Sequence, residues 1–254
     1  KGGMSAPGGL KLSEDGKTLH VAHLFGLRSV DTASGKLTDV GRMHGDHIEY
    51  PFAVTLSKDH YVLSSWFTGT VQLLNRKDKS TKAMAHGLAA PMDAVELPDG
   101  RVLALELAAG ALTQLSGADL HDKKQVVTGL QGPTQMILGK DGALYITEMA
   151  GRLLRVDPSN WAMSTVADGL AGPEGLAQTP AGKFIVAEAA KRQLTEVDPA
   201  NGNKRVIATD LPIGFEAGPG LPPPYLTTGV AVAADGTVYF SADRDNGIYK
   251  IKPN

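Results

Sequence analysis

A chain of 254 residues carries 25 Lys and Arg against 27 Asp and Glu, which gives a formal net charge of −2 at pH 7. The charges are spread along the sequence without a basic block that could neutralise a phosphate backbone, so nucleic acid is not an expected partner. No apolar run approaches the roughly 20 residues that cross a bilayer, and no membrane span is expected. The chain has no Cys, which excludes disulfides, thiolate metal sites and a Cys nucleophile.

The N-terminal sequence bears on the compartment. It begins at Lys1 without an initiating Met and lacks the charged and apolar regions of a signal peptide. A mature or trimmed chain is one interpretation of this start. We therefore expect a periplasmic or secreted protein whose leader is not part of this sequence, with a cytoplasmic location as the alternative.

A short phrase recurs six times along the sequence. An opening with Pro or small residues leads into an apolar stretch, a tight turn and a second apolar stretch, as in Gly132-Pro133-Thr134, Lys140-Asp141-Gly142 and Leu144-Tyr145-Ile146-Thr147-Glu148. The turns lie 44, 40, 42, 40 and 54 residues apart, at Asp15, Asp59, Asp99, Asp141, Ala181 and Asp235. A period near forty built from short strands is typical of propeller blades.

The repeats predict the fold class and the blade boundaries. We predict one all-β domain, a six-bladed β-propeller with four-stranded blades, over residues 1–254. The blades cover roughly residues 6–50, 51–90, 91–132, 133–172, 173–226 and 227–254. The last repeat stops after its third strand, and Lys1 to Pro7 parallels Asp168 to Pro173, the segment between two blades. Residues 1–5 are therefore predicted to complete the last blade.

Two connections are longer than the others, residues 41–50 and 212–228. Long loops in folded domains are more often functional than neutral, so a protein partner could bind there. The first loop offers His, Asp, His and Glu within the sequence His44-Gly45-Asp46-His47-Ile48-Glu49. Such side chains suit a metal or acid–base chemistry, with His47 as the candidate, and exposed loop residues are the alternative.

The ends of the second strands carry an unusual set of side chains. Counting from each turn gives His23, Trp66, Glu106, Glu148 and Glu188, and in the sixth blade Asp243 lies one residue past the counted position. If these strand ends lie at one opening of the central tunnel of the propeller, the carboxylates would raise one another's pKa, as in acid–base or metal sites. The alternative is structural, since a carboxylate at such a position can accept hydrogen bonds from nearby backbone.

The phrase Gly172-Pro173-Glu174-Gly175-Leu176-Ala177 with Phe184-Ile185-Val186-Ala187-Glu188 resembles the six-bladed propellers of the gluconolactonase, strictosidine-synthase-like and NHL-repeat group. In metal-dependent hydrolases of that group, Ca²⁺ or a similar ion is held by Glu, Asn and Asp at the residue after Pro in the opening phrase. The corresponding positions here are Gly8, Phe52, Met92, Thr134, Glu174 and Thr228. Only Glu174 has a ligand type in register.

The resemblance implies a small-molecule hydrolase of lactonase or esterase type with Ca²⁺ or another divalent metal as cofactor. The metal ligands would be Glu106, Glu148, Glu174 and Asp243. The catalytic groups would be His23, His47 and Glu188. The side chains that contact substrate would be Phe52, Trp66, Met92, Phe215 and Tyr225.

Two other functions stay open. One is a non-catalytic propeller that binds a small molecule, a peptide or a protein on the same face. The other is a lyase, because Trp66-Phe67-Thr68-Gly69 resembles the recurring Trp-Phe-Thr-Glu phrase of virginiamycin B lyase, with Gly69 in place of Glu. That enzyme uses His and Glu with Mg²⁺ to open a lactone by elimination.

Overall fold

Antiparallel strands joined by tight turns make up the chain, and the fold is the predicted six-bladed β-propeller. The computed structural model describes residues 4–43, 45–215 and 228–253. By its internal contacts the chain divides into two units, one of Leu10–Pro133 and one of Lys1–Gly9 with Thr134–Asn254. In the described ranges no helix has both the length and the apolar character needed to cross a membrane.

The first three sheets have four strands each, and within each sheet every strand pairs with its neighbours in sequence. The strands are β1 (Pro7–Leu12), β2 (Thr18–His23), β3 (Gly26–Asp31), β4 (Leu37–Arg42), β5 (Ala53–Leu56), β6 (His60–Ser65), β7 (Thr70–Asn75), β8 (Thr81–Ala85), β9 (Pro91–Glu96), β10 (Val102–Glu106), β11 (Ala111–Ser116) and β12 (Asp122–Thr128). A short 3₁₀ turn, Ala118–Leu120, precedes β12.

The next two sheets also have four strands, and the sixth has three among the described residues. The strands are β13 (Pro133–Leu138), β14 (Leu144–Glu148), β15 (Arg152–Val156), β16 (Met163–Ala167), β17 (Pro173–Gln178), β18 (Phe184–Glu188), β19 (Gln193–Val197), β20 (Lys204–Ala208), β21 (Val230–Val232), β22 (Val238–Ala242) and β23 (Gly247–Ile251). A second 3₁₀ turn, Ala189–Lys191, follows β18.

The predicted tight turns join the first and second strands of each sheet, and Asp side chains stabilise several of them. Asp141 is typical, because its Oδ1 accepts a hydrogen bond of 3.2 Å from the N–H of Ala143. Gly142, between them, has φ of +77°, which Gly adopts without steric cost. Asp99 and Asp235 accept the same kind of bond two residues along.

Hydroxyl groups on second strands bond to the first strand of the following sheet. Thr147 in β14 donates a hydrogen bond of 2.7 Å to the carbonyl oxygen of Glu174 in β17. Ser241 in β22 donates one of 2.7 Å to the carbonyl oxygen of Gly8. All four residues are buried. A buried carbonyl requires a donor, so these hydroxyls fix where the first strands begin.

Each unit has its own apolar core between neighbouring sheets. In Leu10–Pro133 one cluster includes Val62, Val71 and Leu115. In the other unit the largest fully buried side chains are Phe184 and Phe240, in two separate clusters. The alternation of the strands places these side chains on the faces between sheets.

The sixth sheet ends at β23 in the described part of the chain. Residues 4–6 add no strand to it, although the N–H of Ala6 donates a hydrogen bond of 2.7 Å to Oδ1 of Asn246, in the turn between β22 and β23. Residues 1–3 lie outside the described ranges. The N-terminal segment thus contacts the last sheet through its turn.

Candidate functional site

Glu174 is a buried acid in β17, with 6% of its surface exposed. Its Oε2 accepts a hydrogen bond of 2.8 Å from the backbone N–H of Thr228. Burial raises the pKa of Glu174 to about 8; the Thr228 N–H opposes this rise, and the charge of Asp243 adds to it. At pH 7 Glu174 is therefore a neutral carboxylic acid that can donate a proton.

Asp243 directly follows β22 and is 4% exposed. Its Oδ2 accepts a hydrogen bond of 2.8 Å from the N–H of Phe215. Its Oδ1 is buried and has no hydrogen-bond partner in the part of the chain that the structure describes. Burial raises the pKa of Asp243, against the opposing effect of the Phe215 N–H. An oxygen of this kind is an acceptor for a hydrogen of bound water or ligand.

Close approach of two strands explains why Gly175 follows Glu174. A Cβ atom at position 175 would collide with the carbonyl oxygen of Thr228 and lie 2.7 Å from Cγ2 of Val230. Because Gly175 has no side chain, the backbone at Thr228 comes near enough to donate to Glu174. The Thr147 hydroxyl holds the carbonyl of Glu174 at the same time. The carboxyl group is therefore fixed by backbone packing.

Glu188, the last residue of β18, is surrounded by donors. Its Oε2 accepts a bond of 2.6 Å from the N–H of Ala171, and its Oε1 accepts one of 2.7 Å from Nε2 of Gln193 and another from the Thr195 hydroxyl. Although burial opposes ionisation, these donors hold the pKa of Glu188 below its ordinary value. This carboxylate fastens the loop before β17 to the end of β18.

Glu106 has the same arrangement at the end of β10. Its Oε2 accepts a bond of 2.5 Å from the N–H of Ala89, and its Oε1 accepts one from the Thr113 hydroxyl. Glu148, at the end of β14, forms an ion pair of 2.6 Å with the guanidinium of Arg152. These contacts are those of the structural alternative, and metal binding by Glu106 and Glu148 stays a prediction.

Metal binding by the predicted ligands Glu106, Glu148, Glu174 and Asp243 stays a prediction. Among the described residues, no group of three or more His, Asp or Glu side chains is arranged to hold an ion. The oxygens of Glu106 accept N–H and O–H bonds, and Glu148 forms an ion pair with Arg152. A divalent ion stays an expectation from the resemblance.

Phe52 and Trp66 belong to an aromatic cluster in the unit Leu10–Pro133. Their ring centroids are 5.1 Å apart, and Trp66 meets Phe67 edge-on at 5.9 Å. Tyr50 extends the cluster at 5.5 Å from Phe67. Phe52 is 4% exposed and Phe67 63% exposed, so the cluster runs from the interior to the surface. Rings so placed can contact a planar or apolar ligand.

The other side chains predicted to contact substrate differ in exposure. Met92 is buried at the start of β9, and its carbonyl accepts a bond of 3.2 Å from the Ser64 hydroxyl. Phe215 is exposed, and its backbone binds Asp243. Tyr225 lies outside the described residues. Substrate contact by all three stays a prediction.

His23, the last residue of β2, is a buried imidazole. Its Nδ1 has no hydrogen-bond partner among the residues that the structure describes. Burial, together with the positive charge of Arg28, lowers the pKa of His23 to about 4. His23 is therefore neutral at pH 7 and can accept a hydrogen bond or a proton. Its catalytic role stays a prediction.

His47 lies on a loop that borders a groove of about 1030 Å³ within the unit Leu10–Pro133. Ile48 anchors this loop in the core, and Nε2 of Gln72 donates a bond of 3.0 Å to the carbonyl of His47. The side chains of His47 and Glu49 are exposed at the groove. His44 lies outside the described residues. The general acid–base role of His47 stays a prediction.

Sequence reasoning missed one pair of charged residues, Lys11 in β1 and Asp93 in β9. Asp93 is 1% exposed. Burial lowers the pKa of Lys11, and the charge of Asp93 opposes that effect. The available signal was the sequence Leu10-Lys11-Leu12, since alternation along a strand places Lys11 on the face opposite to the two leucines.

Comparison with solved structures supports the fold. A virginiamycin B lyase from Staphylococcus aureus superimposes with a TM-score of 0.66 and 15% identity, over 98% of this chain and 84% of that chain. A protein from Bacteroides uniformis, provisionally named a 6-phosphogluconolactonase, has a TM-score of 0.63 and 17% identity over 100% and 83%. The WD40 propeller domain of Doa1 has a TM-score of 0.63 and 12% identity over 95% and 77%.

Sequence comparisons add nothing to this result. No family model matches the chain, and a search of curated proteins found no match. At identities of 12–17% the structural likeness shows the fold alone. The chain is a six-bladed β-propeller with structural neighbours in the gluconolactonase-like, virginiamycin B lyase and WD40 groups.

Proposed function

We propose that the chain is a hydrolase of small lactones or esters, with Glu174 as its acid and Asp243 as its base. One observation carries this proposal: Glu174 is a neutral acid with a pKa of about 8, and Asp243, which acts on it electrostatically, has an oxygen without a partner among the described residues. A neutral carboxylic acid and a carboxylate that acts on it electrostatically can divide the roles of proton donor and acceptor. Structural neighbours named as a lactonase and a lyase support the substrate class.

In the proposed opening of the lactone ring, ionised Asp243 accepts a proton and neutral Glu174 donates one. Oδ1 of Asp243 accepts a proton from water while the water oxygen attacks the lactone carbonyl carbon. Glu174 gives its proton to the ring oxygen as the carbon–oxygen bond breaks. The product is a hydroxy acid, and transfer of the proton from Asp243 to Glu174 through solvent restores both groups.

Burial and backbone contacts would keep this pair in place. Thr228 and Phe215 each donate a backbone N–H to one of the two carboxyl groups. Backbone donors cost little reorganisation when charge shifts during a reaction, which favours proton transfer at a fixed site. The low exposure of both acids also strengthens their electrostatic interaction.

A panel of γ-lactones, δ-lactones and aryl esters tests the proposal. We expect turnover above the blank for at least one lactone, and a loss of about 100-fold in kcat/KM in Asp243→Asn and in Glu174→Gln. Asp235→Asn is the matched control, because Asp235 lies in an exposed turn. No turnover by the wild type, or equal loss in the control, would reject the proposal.

Two further measurements distinguish the proposed hydrolase from the lyase and the metal enzyme that the sequence left open. Product analysis distinguishes hydrolysis, which adds water, from elimination, which leaves an alkene and would assign a lyase. Elemental analysis with and without chelator tests the divalent ion. About one Ca²⁺, Mg²⁺, Mn²⁺ or Zn²⁺ per chain, lost in Glu174→Gln, would replace the acid–base pair by a metal site.

The aromatic cluster of Tyr50, Phe52, Trp66 and Phe67 favours a second candidate, a binding module without catalysis. The exposed ring of Phe67 continues inward to Phe52. Quenching of Trp fluorescence by a ligand, abolished in Trp66→Phe, together with no turnover in the panel, would support this candidate.

A further inference from the structure

Two cations in the turn between β7 and β8 lie against the ring of Tyr61, within the unit Leu10–Pro133. The guanidinium carbon of Arg76 is 5.9 Å from the ring centroid, and Nζ of Lys79 is 5.0 Å from it. Tyr61 itself is 5% exposed. Neither cation forms an ion pair with a carboxylate of the described ranges. Two positive charges thus share one buried aromatic ring.

The acid nearest in sequence does not neutralise this pair. Oδ1 of Asp78 accepts hydrogen bonds of 3.0 Å and 2.7 Å from the N–H and the hydroxyl of Ser80. Burial and the charge of Arg76 lower the pKa of Lys79, and the opposing attraction of Asp78 is the smallest of the three effects. Repulsion by Arg76 therefore outweighs attraction by Asp78. An anion bound to both cations would offset that repulsion.

The imidazole of His20 lies in the same positive surroundings. His20, in β2, is 7% exposed, and its ring centroid is 5.0 Å from that of Tyr61. Its buried Nδ1 has no hydrogen-bond partner in the described part of the chain. Burial, together with the positive charges of Arg76 and Lys79, lowers the pKa of His20 to about 4. A negative charge held by the two cations would offset their share of this shift.

Lys79 occupies a backbone conformation that favours Gly. Its φ is +65°, and its N–H donates a hydrogen bond to the carbonyl oxygen of Asn75 across the turn. In the first and fifth sheets Gly35 and Gly202 occupy the same turn position, with φ of +72° in both. Gly adopts this conformation without the steric cost that a Lys side chain carries. The second sheet thus has a strained cation where two other sheets have Gly, and such strain is common at functional sites.

The donors of both side chains match a phosphate group. Nη1 of Arg76 donates to the carbonyl oxygens of Ser57 at 2.9 Å and of Lys58 at 3.3 Å, which fixes the guanidinium. A guanidinium has further N–H donors on Nε and Nη2, in a planar fork that fits phosphate oxygens. Nζ of Lys79 donates to the carbonyl oxygen of Arg76 and carries further hydrogens. A phosphate monoester has a charge of about −1.5 to −2 at pH 7, which suits two cations.

We propose that Arg76 and Lys79 bind a phosphate group at the ring of Tyr61, either inorganic phosphate or the phosphate of a small monoester. The two cations supply charge-assisted hydrogen bonds to the phosphate oxygens. The site shares no residue with the pair of Glu174 and Asp243. It does not depend on the proposed hydrolase.

The groove beside Lys79 limits the rest of the ligand. Lys79, Tyr50 and Met84 all border this groove of about 1030 Å³, which accommodates a small molecule. The exposed carboxylates of Asp46 and Glu49 border it as well and repel a second anionic group. A ligand with one phosphate and an uncharged body therefore fits the groove.

An NMR titration of the whole chain tests the proposal, with inorganic phosphate, phenyl phosphate and acetate as probes at constant ionic strength. We expect saturable binding of both phosphates and about tenfold weaker binding of acetate, because acetate has fewer oxygens and less charge. Saturating phosphate should raise the pKa of His20 above about 4, with His20→Gln to assign the signal. His23 is the internal control, because Arg28 rather than this pair lowers its pKa.

Variants of the turn locate the binding site. Lys79→Gly removes a cation and relieves the backbone, so this protein should fold at least as well as the wild type. We expect about tenfold weaker phosphate binding in Lys79→Gly and in Arg76→Gln, since each loses a charged donor. Lys36→Ala is the matched control, because it removes an exposed Lys from the equivalent turn of the first sheet.

The outcomes decide both the site and the source of the phosphate. Tighter binding of phenyl phosphate than of inorganic phosphate would support a monoester as the ligand, and equal binding would support the free ion. No saturable binding, or acetate that binds as tightly as phosphate, would overturn the proposal. So would an equal loss in Lys36→Ala, or a pKa of His20 that phosphate leaves unchanged.

Discussion

Glu188 and Asp243 occur at nearly the same place in neighbouring sheets, and their surroundings are opposite. Glu188 ends β18 and accepts hydrogen bonds on both oxygens, from Ala171, Gln193 and Thr195. Asp243 follows β22 and accepts a bond from Phe215 on one oxygen, while its Oδ1 has no partner among the described residues. The pKa is lowered in the first acid and raised in the second.

The difference distinguishes an acid that stabilises the fold from an acid that can act on a ligand, at equivalent positions of the repeat. A carboxylate whose oxygens all accept bonds from its own chain stabilises the fold and has little capacity left for a ligand. A buried carboxylate with an open oxygen is destabilising by itself, which is the usual condition of a functional group. Glu106, like Glu188, accepts hydrogen bonds on both oxygens and stabilises the fold. Asp243, like Glu174, is a buried acid with a raised pKa.

The largest expected effect is on the pH dependence of kcat/KM, which tests whether Glu174 and Asp243 are the reactive acids. Glu174 must be protonated to act as the acid, so kcat/KM should fall about tenfold per pH unit above pH 8. In Asp243→Asn the residual activity should begin to fall at a lower pH, because the negative charge that helps to raise the pKa of Glu174 is gone. A profile that rises steadily through pH 9 would contradict this role.

Stability should depend on pH through Glu174. Its pKa is about 8 in the folded chain against 4.5 ordinarily, so the folded state binds an extra proton between these values and the free energy of unfolding falls as pH rises. Relative to Glu174→Gln, the wild type should lose about 3 kcal/mol between pH 5 and pH 8. Urea unfolding of both proteins at several pH values measures this, and parallel curves would argue against a neutral Glu174.

Removal of Glu188 should destabilise the fold, which is the opposite expectation to that for Asp243. Glu188→Ala leaves the donors of Ala171, Gln193 and Thr195 without their acceptor, at a cost of about 2 kcal/mol in the free energy of unfolding. Asp243→Asn should cost less than about 1 kcal/mol, because it removes one buried charge and no N–H acceptor. Equal losses in urea unfolding would remove the distinction between the two acids.

The smallest expected effect on the free energy of unfolding concerns Thr147, whose hydroxyl donates a hydrogen bond to the carbonyl oxygen of Glu174. Thr147→Val preserves the shape but removes the hydroxyl, and we expect a loss of about 1 kcal/mol. Thr165→Val, on the exposed strand β16, is the control and should change stability by less than about 0.5 kcal/mol. Urea unfolding measures both, and no difference between them would show that this contact is weak.

The fold could be predicted from the sequence because turns and strands repeat. Asp141 with Gly142 marks a turn by local chemistry, and the same pair recurs at several blades. The partners of the acids could not be predicted in the same way, because they depend on contacts distant in sequence. The N–H of Ala171, for example, reaches Glu188 from 17 residues earlier in the sequence.

Asp243 shows most clearly which features of the candidate site the sequence could not predict. It lies one residue past the position that a simple count gives, since β22 ends at Ala242. Its shorter side chain nevertheless reaches the N–H of Phe215, which lies 28 residues earlier in the sequence. The raised pKa of Glu174 likewise depends on burial, which no residue pattern specifies.

Titration of the Glu174 carboxyl group by ¹³C NMR tests the central claim most directly, with Glu174→Gln to assign the signal. The account predicts a midpoint near pH 8 in the wild type and a lower midpoint in Asp243→Asn. A midpoint near 4.5, unchanged by Asp243→Asn, would contradict the acid–base pair.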